Sequence, residues 1–252
     1  MAAKPVASSA DLGVKEQTLE VLADGVYALT AEGDPNLGAI EGEDFLVCFE
    51  ALATPVAARR WLAKLREHTD KPVRYLVLSH YHAVRVLGAS AFDAEVIVSS
   101  EQTKHLIEER GQQDWESEYG RMPRLFDEPE SIPGLTWPTM TFRDRLTIEL
   151  GGDRGELVLE FHGRGHTEGD IVACISTALQ AVPWGKVFKA AKVAIKAIGV
   201  GRRLVEAYGR WPIFEHCLPF DVSRLWDEFS GTERPVIWTA ERDRAVWDQL
   251  QG

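Results

Sequence analysis

Hydrophobic positions come in short bursts through the first part of the chain. "GVYAL", "LGAIEG" and "DFLVCFEA" are β-rich runs broken by Gly, Asn, Pro and Asp, the pattern of strands joined by tight turns. From Thr54 to His68, "TPVAARRWLAKLREH" changes period, with Thr54 placed as an N-cap, Pro55 at the first helical position and apolar residues near helical spacing. This predicts a helix. "PVRYLVLSH" then forms a buried type of strand whose apolar run stops at His80, so His80 and His82 fall on the loop at its C-terminal end. "AEVIVSS" predicts a further strand, and Glu101 to Arg110 a second helix capped by Ser100. Strand, helix, strand, helix in this order predicts an α/β layered protein.

The middle, "DWESEYGRMPRLFDEPESIPGLTWP", is rich in Pro, Gly and acids and predicts an irregular excursion, with Asp114, Glu116 and Glu118 on a solvated loop face. Strand-length patterns return in "MTFRDRLTIEL", "GELVLEFHG" and "DIVACIS". Beyond them "KVFKAAKVAIKAIGVGRRLVEAY", Lys186 to Tyr208, is helical in pattern, with Lys186, Lys189, Lys192 and Lys196 three or four residues apart. Seven basic residues stand against one acidic between Lys186 and Pro212, either as a solvated face over a sheet or as a surface for an anionic partner. The tail, ending in "TAERDRAVWDQLQ", predicts a loop and a docking helix.

Composition narrows the classes. The 252 residues, 45% hydrophobic and 27% charged, are ordinary for a globular chain, and the formal charge of −11 argues against broad nucleic-acid binding. Cys48, Cys174 and Cys217 are scattered and odd in number, which predicts free thiols in a reducing compartment. No apolar h-region follows the N-terminal "MAAKPVASSADLG", and no run reaches the roughly 18 apolar residues of a spanning helix. The expectation is a cytoplasmic protein acting on a small molecule, with no membrane or nucleic-acid partner and an oligomeric state left open.

Chemistry gathers at two places. A His-x-His pair puts two rings on the same side of an extended chain, where both can reach one ion, and imidazole is a common zinc ligand. In "FHGRGHTEGDIVACI", His166 sits on a Gly-flanked turn between strands, with Thr167 and Asp170 available to bond the turn's backbone. Together, "NLGAIEGEDFLVCFEALATP", "KPVRYLVLSHYHAVRVLGASAF" and "TFRDRLTIELGGDRGELVLEFHGRGHTEGD" resemble the metallo-β-lactamase fold superfamily, from about Gly25 through Ile175.

That resemblance implies an αββα sandwich in a single domain over 1–252. It would have a polar N-terminal extension over 1–20, a shortened second half and a divergent helical part over 180–252. It also implies which residues would bind metal. The family's HxHxDH signature falls on His80, His82, Val84 and Arg85, and its Gly-His-Thr histidine on His166, so three ligands of a first metal site are present and those of a second are not. Where the family has a Gly-Asp pair, this chain has Gly185-Lys186, and an ammonium has no lone pair to donate. His216 is the candidate for a last ligand, with packing or a supporting position as the alternative. Glu50 falls near an aspartate that supports the family's first histidine loop.

Zinc held by His80, His82 and His166 would carry a water of pKa about 7, a hydroxide nucleophile obtained without a second ion. Iron and manganese stay open. Arg85 beside the vacant second position would repel another cation and suit a carboxylate or phosphate. The implied activity is hydrolysis of an ester, thioester, lactone or amide-like bond by a mononuclear zinc site. The alternative is a catalytically inactive binding or scaffold protein on the same fold. His68 near a helix C-terminus and His105 in mid-helix are assigned structural roles, and His162 a strand-end role, with the mouth of the site as its alternative.

Overall fold

Two sheets stack face to face, and helices cover the outer face of the larger one. The computed structural model describes residues 13, 15–31 and 34–175. They belong to one compact unit, Leu12–Ala178; the other unit, Met1–Asp11 with Leu179–Gly252, lies outside the described residues. The lysine-rich helix, Gly185-Lys186, Cys217 and His216 therefore lie outside them too. So does the expected helical part over 180–252.

The large sheet runs in chain order through β1 (Gln17–Ala23), β2 (Val26–Ala31), β3 (Leu37–Glu41), β4 (Leu46–Phe49), β5 (Val73–Val77), β6 (Val96–Ser100) and β7 (Met140–Phe142). Its first four strands pair antiparallel; β4 to β7 pair parallel. The small sheet has the order β10 (Ile171–Ile175), β9 (Glu156–Phe161), β8 (Arg145–Glu149), all antiparallel. Strand periodicity explains the layering. In β4, Leu46 and Cys48 join the core under the helices, while Val47 between them joins the core between the sheets. Leu76 and Val77 divide in the same way on β5. Buried on both faces, these strands carry uninterrupted apolar runs rather than alternation.

Helix α1 (Pro55–Leu65) starts where the sequence predicts, with Thr54 Oγ1 accepting from Ala57 N at 3.2 Å. Ala58, Trp61 and Leu65, at helical spacing, face the sheet with no exposure. Burial of a side chain as large as Leu65 contributes about 1.5–3 kcal/mol. The short helix α2 (Ala83–Val86) follows directly on His82, and α3 spans Glu101–Arg121 with Ser100 Oγ accepting from Thr103 N at 3.0 Å. Among the described residues no helix is long and apolar enough to cross a membrane.

Three sequence expectations need correction. Helix α3 runs eleven residues past Arg110, so the first part of the expected irregular excursion is helix. "MTFRDRLTIEL" is two strands, β7 closing the large sheet and β8 opening the small one, with the chain changing sheets at Arg143 and Asp144. Strand β1 lies in what was expected to be a polar start. As an edge strand it leaves Val21 and Leu22 exposed, which hides the alternation.

The turn after β4 and α2 are stitched together through Ala51 N to Arg85 O at 2.6 Å and Gly88 N to Leu52 O at 3.0 Å. A Cβ on Gly88 would stand 2.1 Å from Ala51 O and 2.7 Å from Thr54 O, so two backbone segments occupy the space that a side chain needs. Gly88→Ala is expected to cost about 1–3 kcal/mol of unfolding free energy by urea titration. An unchanged midpoint and slope would contradict this close approach.

Candidate metal centre

The histidine loop begins where β5 runs out of partners. Glu50 Oε1 accepts from Ser79 N at 3.1 Å, and Ser79 Oγ lies 2.7 Å from His80 Nδ1, which turns the other ring nitrogen, Nε2, away from that contact. His82 is the residue before the first turn of α2. His166 sits on the loop between β9 and β10, where Asp170 accepts from His166 N, from Thr167 N at 2.9 Å and from Thr167 Oγ1 at 2.5 Å. One aspartate thus closes the turn.

Backbone bonds bring the two turns together. Ile171 N donates to Ser79 O at 3.2 Å, while Ser100 Oγ and Thr103 Oγ1 both donate to Gly169 O, at 2.7 and 3.0 Å. Gly169 approaches α3 so closely that a Cβ there would stand 2.6 Å from Thr103 N.

The three rings form a nearly equilateral triangle. Centroids are 5.0 Å apart for His80 and His82, 5.3 Å for His80 and His166, and 4.9 Å for His82 and His166, with planes inclined at 73° to 87°. Candidate ligand nitrogens lie within 4.8 Å of one another, and His82 Nδ1 is 3.4 Å from His166 Nε2. That distance is long for an N–H···N bond. It matches the edge, about 3.3 Å, of a tetrahedron with zinc–nitrogen bonds of about 2.05 Å. Burial, followed by the charges of His166 and Arg85, holds His80 well below the ordinary imidazole range, so it is neutral and its lone pair is available. The donor set fits a zinc ion.

The residues just after His82 are engaged elsewhere. Val84 is packed in the core under the helices, and Arg85 Nη1 donates to Asn36 O at 3.1 Å. His162 is exposed at the end of β9, with Nε2 3.2 Å from Glu160 Oε2, His68 packs on the Tyr27 ring at 5.6 Å, and His105 is exposed on α3.

Two acids escaped the sequence reading. Asp114 and Glu118, expected on a solvated loop, are 2% and 1% exposed on the inner face of α3 and form a second cluster of potential ligands with His82. Asp114 Oδ2 accepts from Ala83 N at 2.7 Å, and Oδ1 lies 3.9 Å from His82 Nε2. Burial and then the neighbouring Glu118 push the Asp114 carboxyl up. Glu118 pairs with Arg121 one turn on. The available signal was spacing: Thr103, Ile107, Gly111, Asp114 and Glu118 form one helical stripe that continues through polar residues.

Similar solved structures include a metallo-β-lactamase from Hirschia baltica, 19% identical over 64% of this chain and 67% of that one, with a TM-score of 0.46. The metallo-β-lactamase FIM-1 from Pseudomonas aeruginosa in its mono-zinc form is 17% identical over 63% and 64%, with a TM-score of 0.43. A metallo-β-lactamase from Pontibacter korlensis is 18% identical over 64% and 67%, with a TM-score of 0.48. The matches thus span roughly two-thirds of each of those chains. No family model and no curated protein sequence matches this chain.

Glu50 shows what supporting the histidine loop costs. It is buried with a left-handed backbone, φ 64°, and burial pushes its carboxyl from 4.5 up to about 7, against the opposing pull of Arg85. A carboxyl raised in the folded state binds a proton there that the unfolded chain has released, so stability falls as pH rises from about 4.5 to about 7. In metal-depleted protein, wild type should lose about 3 kcal/mol relative to Glu50→Gln across that window and run parallel to it above. Denaturant titrations at several pH values measure this. Parallel curves throughout would refute the burial account.

Proposed function

We propose that this protein is a metal-dependent hydrolase that holds one zinc ion between His80, His82 and His166. It would open an ester, thioester, lactone or amide-like bond of a small-molecule substrate. The observation that carries the reading is the 3.4 Å separation of His82 Nδ1 and His166 Nε2, from residues 84 apart in sequence. Bound by three neutral imidazoles, zinc would supply Lewis acidity and would bring the pKa of a water down to about 7. An all-imidazole donor set favours zinc over manganese.

The chain's own groups do the positioning. Ser79 engages His80 Nδ1, so that Nε2 is the atom presented to the ion, and Asp170 keeps the His166 turn closed. Arg85, fixed to Asn36 O, lends its charge to the neighbourhood of His80, where it opposes a second cation and suits an acidic group on the substrate. No carboxylate stands in the signature beside His82 to shuttle a proton, and such groups are typically worth roughly 10²–10⁴-fold. Slow or specialised turnover is the consequence.

A second reading, a binding or scaffold protein without catalysis, is favoured by Val84 being committed to core packing. Protein purified without chelators or metal columns separates the two. Elemental analysis should give one zinc equivalent, and His82→Ala should lose both the metal and at least about 100-fold of the hydrolysis of an ester panel. Two equivalents, or activity untouched by His82→Ala, would sink the mononuclear hydrolase. Less than a tenth of an equivalent of any transition metal would favour the scaffold.

A further inference from the structure

His82 is approached from both sides of its ring. Nδ1 faces His166, and Nε2 faces Asp114 on α3, a residue 32 positions further along the chain. The imidazole of a metal-bound histidine has one nitrogen on the ion and one N–H left over. A carboxylate accepting that N–H fixes the tautomer and the ring angle and makes the ligand more basic. The Asp114 side chain is placed for this by three independent features. It is almost fully buried; its Oδ2 is already anchored by Ala83 N at 2.7 Å, the residue next to His82; and it lies on a rigid helix one turn ahead of the Glu118–Arg121 pair.

We infer that Asp114 is a positioning residue for the metal centre, orienting His82 so that Nδ1 and not Nε2 is its ligand atom. The 3.9 Å from Oδ1 to Nε2 is longer than a hydrogen bond, and the inference is that it shortens to one in the zinc-loaded protein. A carboxylate taken out of water is costly unless it is hydrogen-bonded or paired; Asp114 Oδ2 has the Ala83 N–H, and Oδ1 faces the His82 ring. The inference rests on the proposal that His80, His82 and His166 bind zinc.

Asp114→Asn is the discriminating variant. Its amide oxygen can still accept from Ala83 N, but its NH₂ group then faces the His82 N–H, donor against donor. Zinc affinity, measured by competition with a chromogenic chelator, should fall about 10- to 100-fold in Asp114→Asn, with the melting temperature of the metal-depleted protein unchanged. In Asp114→Ala both should fall, because the Ala83 bond is lost as well. Wild-type zinc binding with an equal affinity in Asp114→Asn overturns this inference and leaves the metal proposal standing. Failure of wild type to bind zinc overturns both. Nitrogen-15 spectra of histidines in the zinc-loaded wild type test the same point without a variant: His82 should carry its proton on Nε2, and zinc on Nε2 would overturn the inference.

Discussion

Everything at the candidate centre depends on a small set of backbone bonds that hold two distant turns in one place. Ile171 N to Ser79 O ties the start of β10 to the histidine loop, and Gly169 O is gripped by both hydroxyls at the N-terminus of α3. None of these bonds involves an imidazole. The three rings converge because these bonds hold the two turns beneath them together. The close approach of Gly169 to Thr103 is part of the same constraint, since any side chain there would push the His166 turn outward.

Helix α3 has two duties in this arrangement. Its N-terminus grips the His166 turn, and four turns later its inner face delivers Asp114 to the other side of His82. The cost is two buried acids, offset by Ala83 N and by the Glu118–Arg121 pair. In the histidine loop Val84 serves packing and Arg85 holds Asn36. The result is a cluster of three imidazoles with the Arg85 guanidinium held nearby.

Much of this was legible in the residues. The strand leading into the His80 loop, the cap at Thr54 and the Gly-flanked turn at His166 each follow from local rules that the packing did not overturn. The acids on α3 were not legible, because an Asp and a Glu in a Pro- and Gly-rich neighbourhood signal solvent. The partners of Asp114, Ala83 N and His82, are more than 30 residues away. Strand β1 was also hidden, although Asp24-Gly25 between β1 and β2 is a hairpin signal that could have found it. The break at Arg143 and Asp144 was illegible for a different reason: both halves have strand character, and only the stacking of two sheets decides where the chain changes layers.

The most direct measurement is X-ray absorption at the zinc edge on protein loaded with one equivalent of the ion. Convergence of His80, His82 and His166 predicts a first shell with three imidazoles at about 2.0 Å, shown by their outer-ring scattering, and one further light-atom ligand. A shell with sulfur, or with fewer than three imidazoles, would mean that the ion sits elsewhere and that the triangle of rings is not a metal centre.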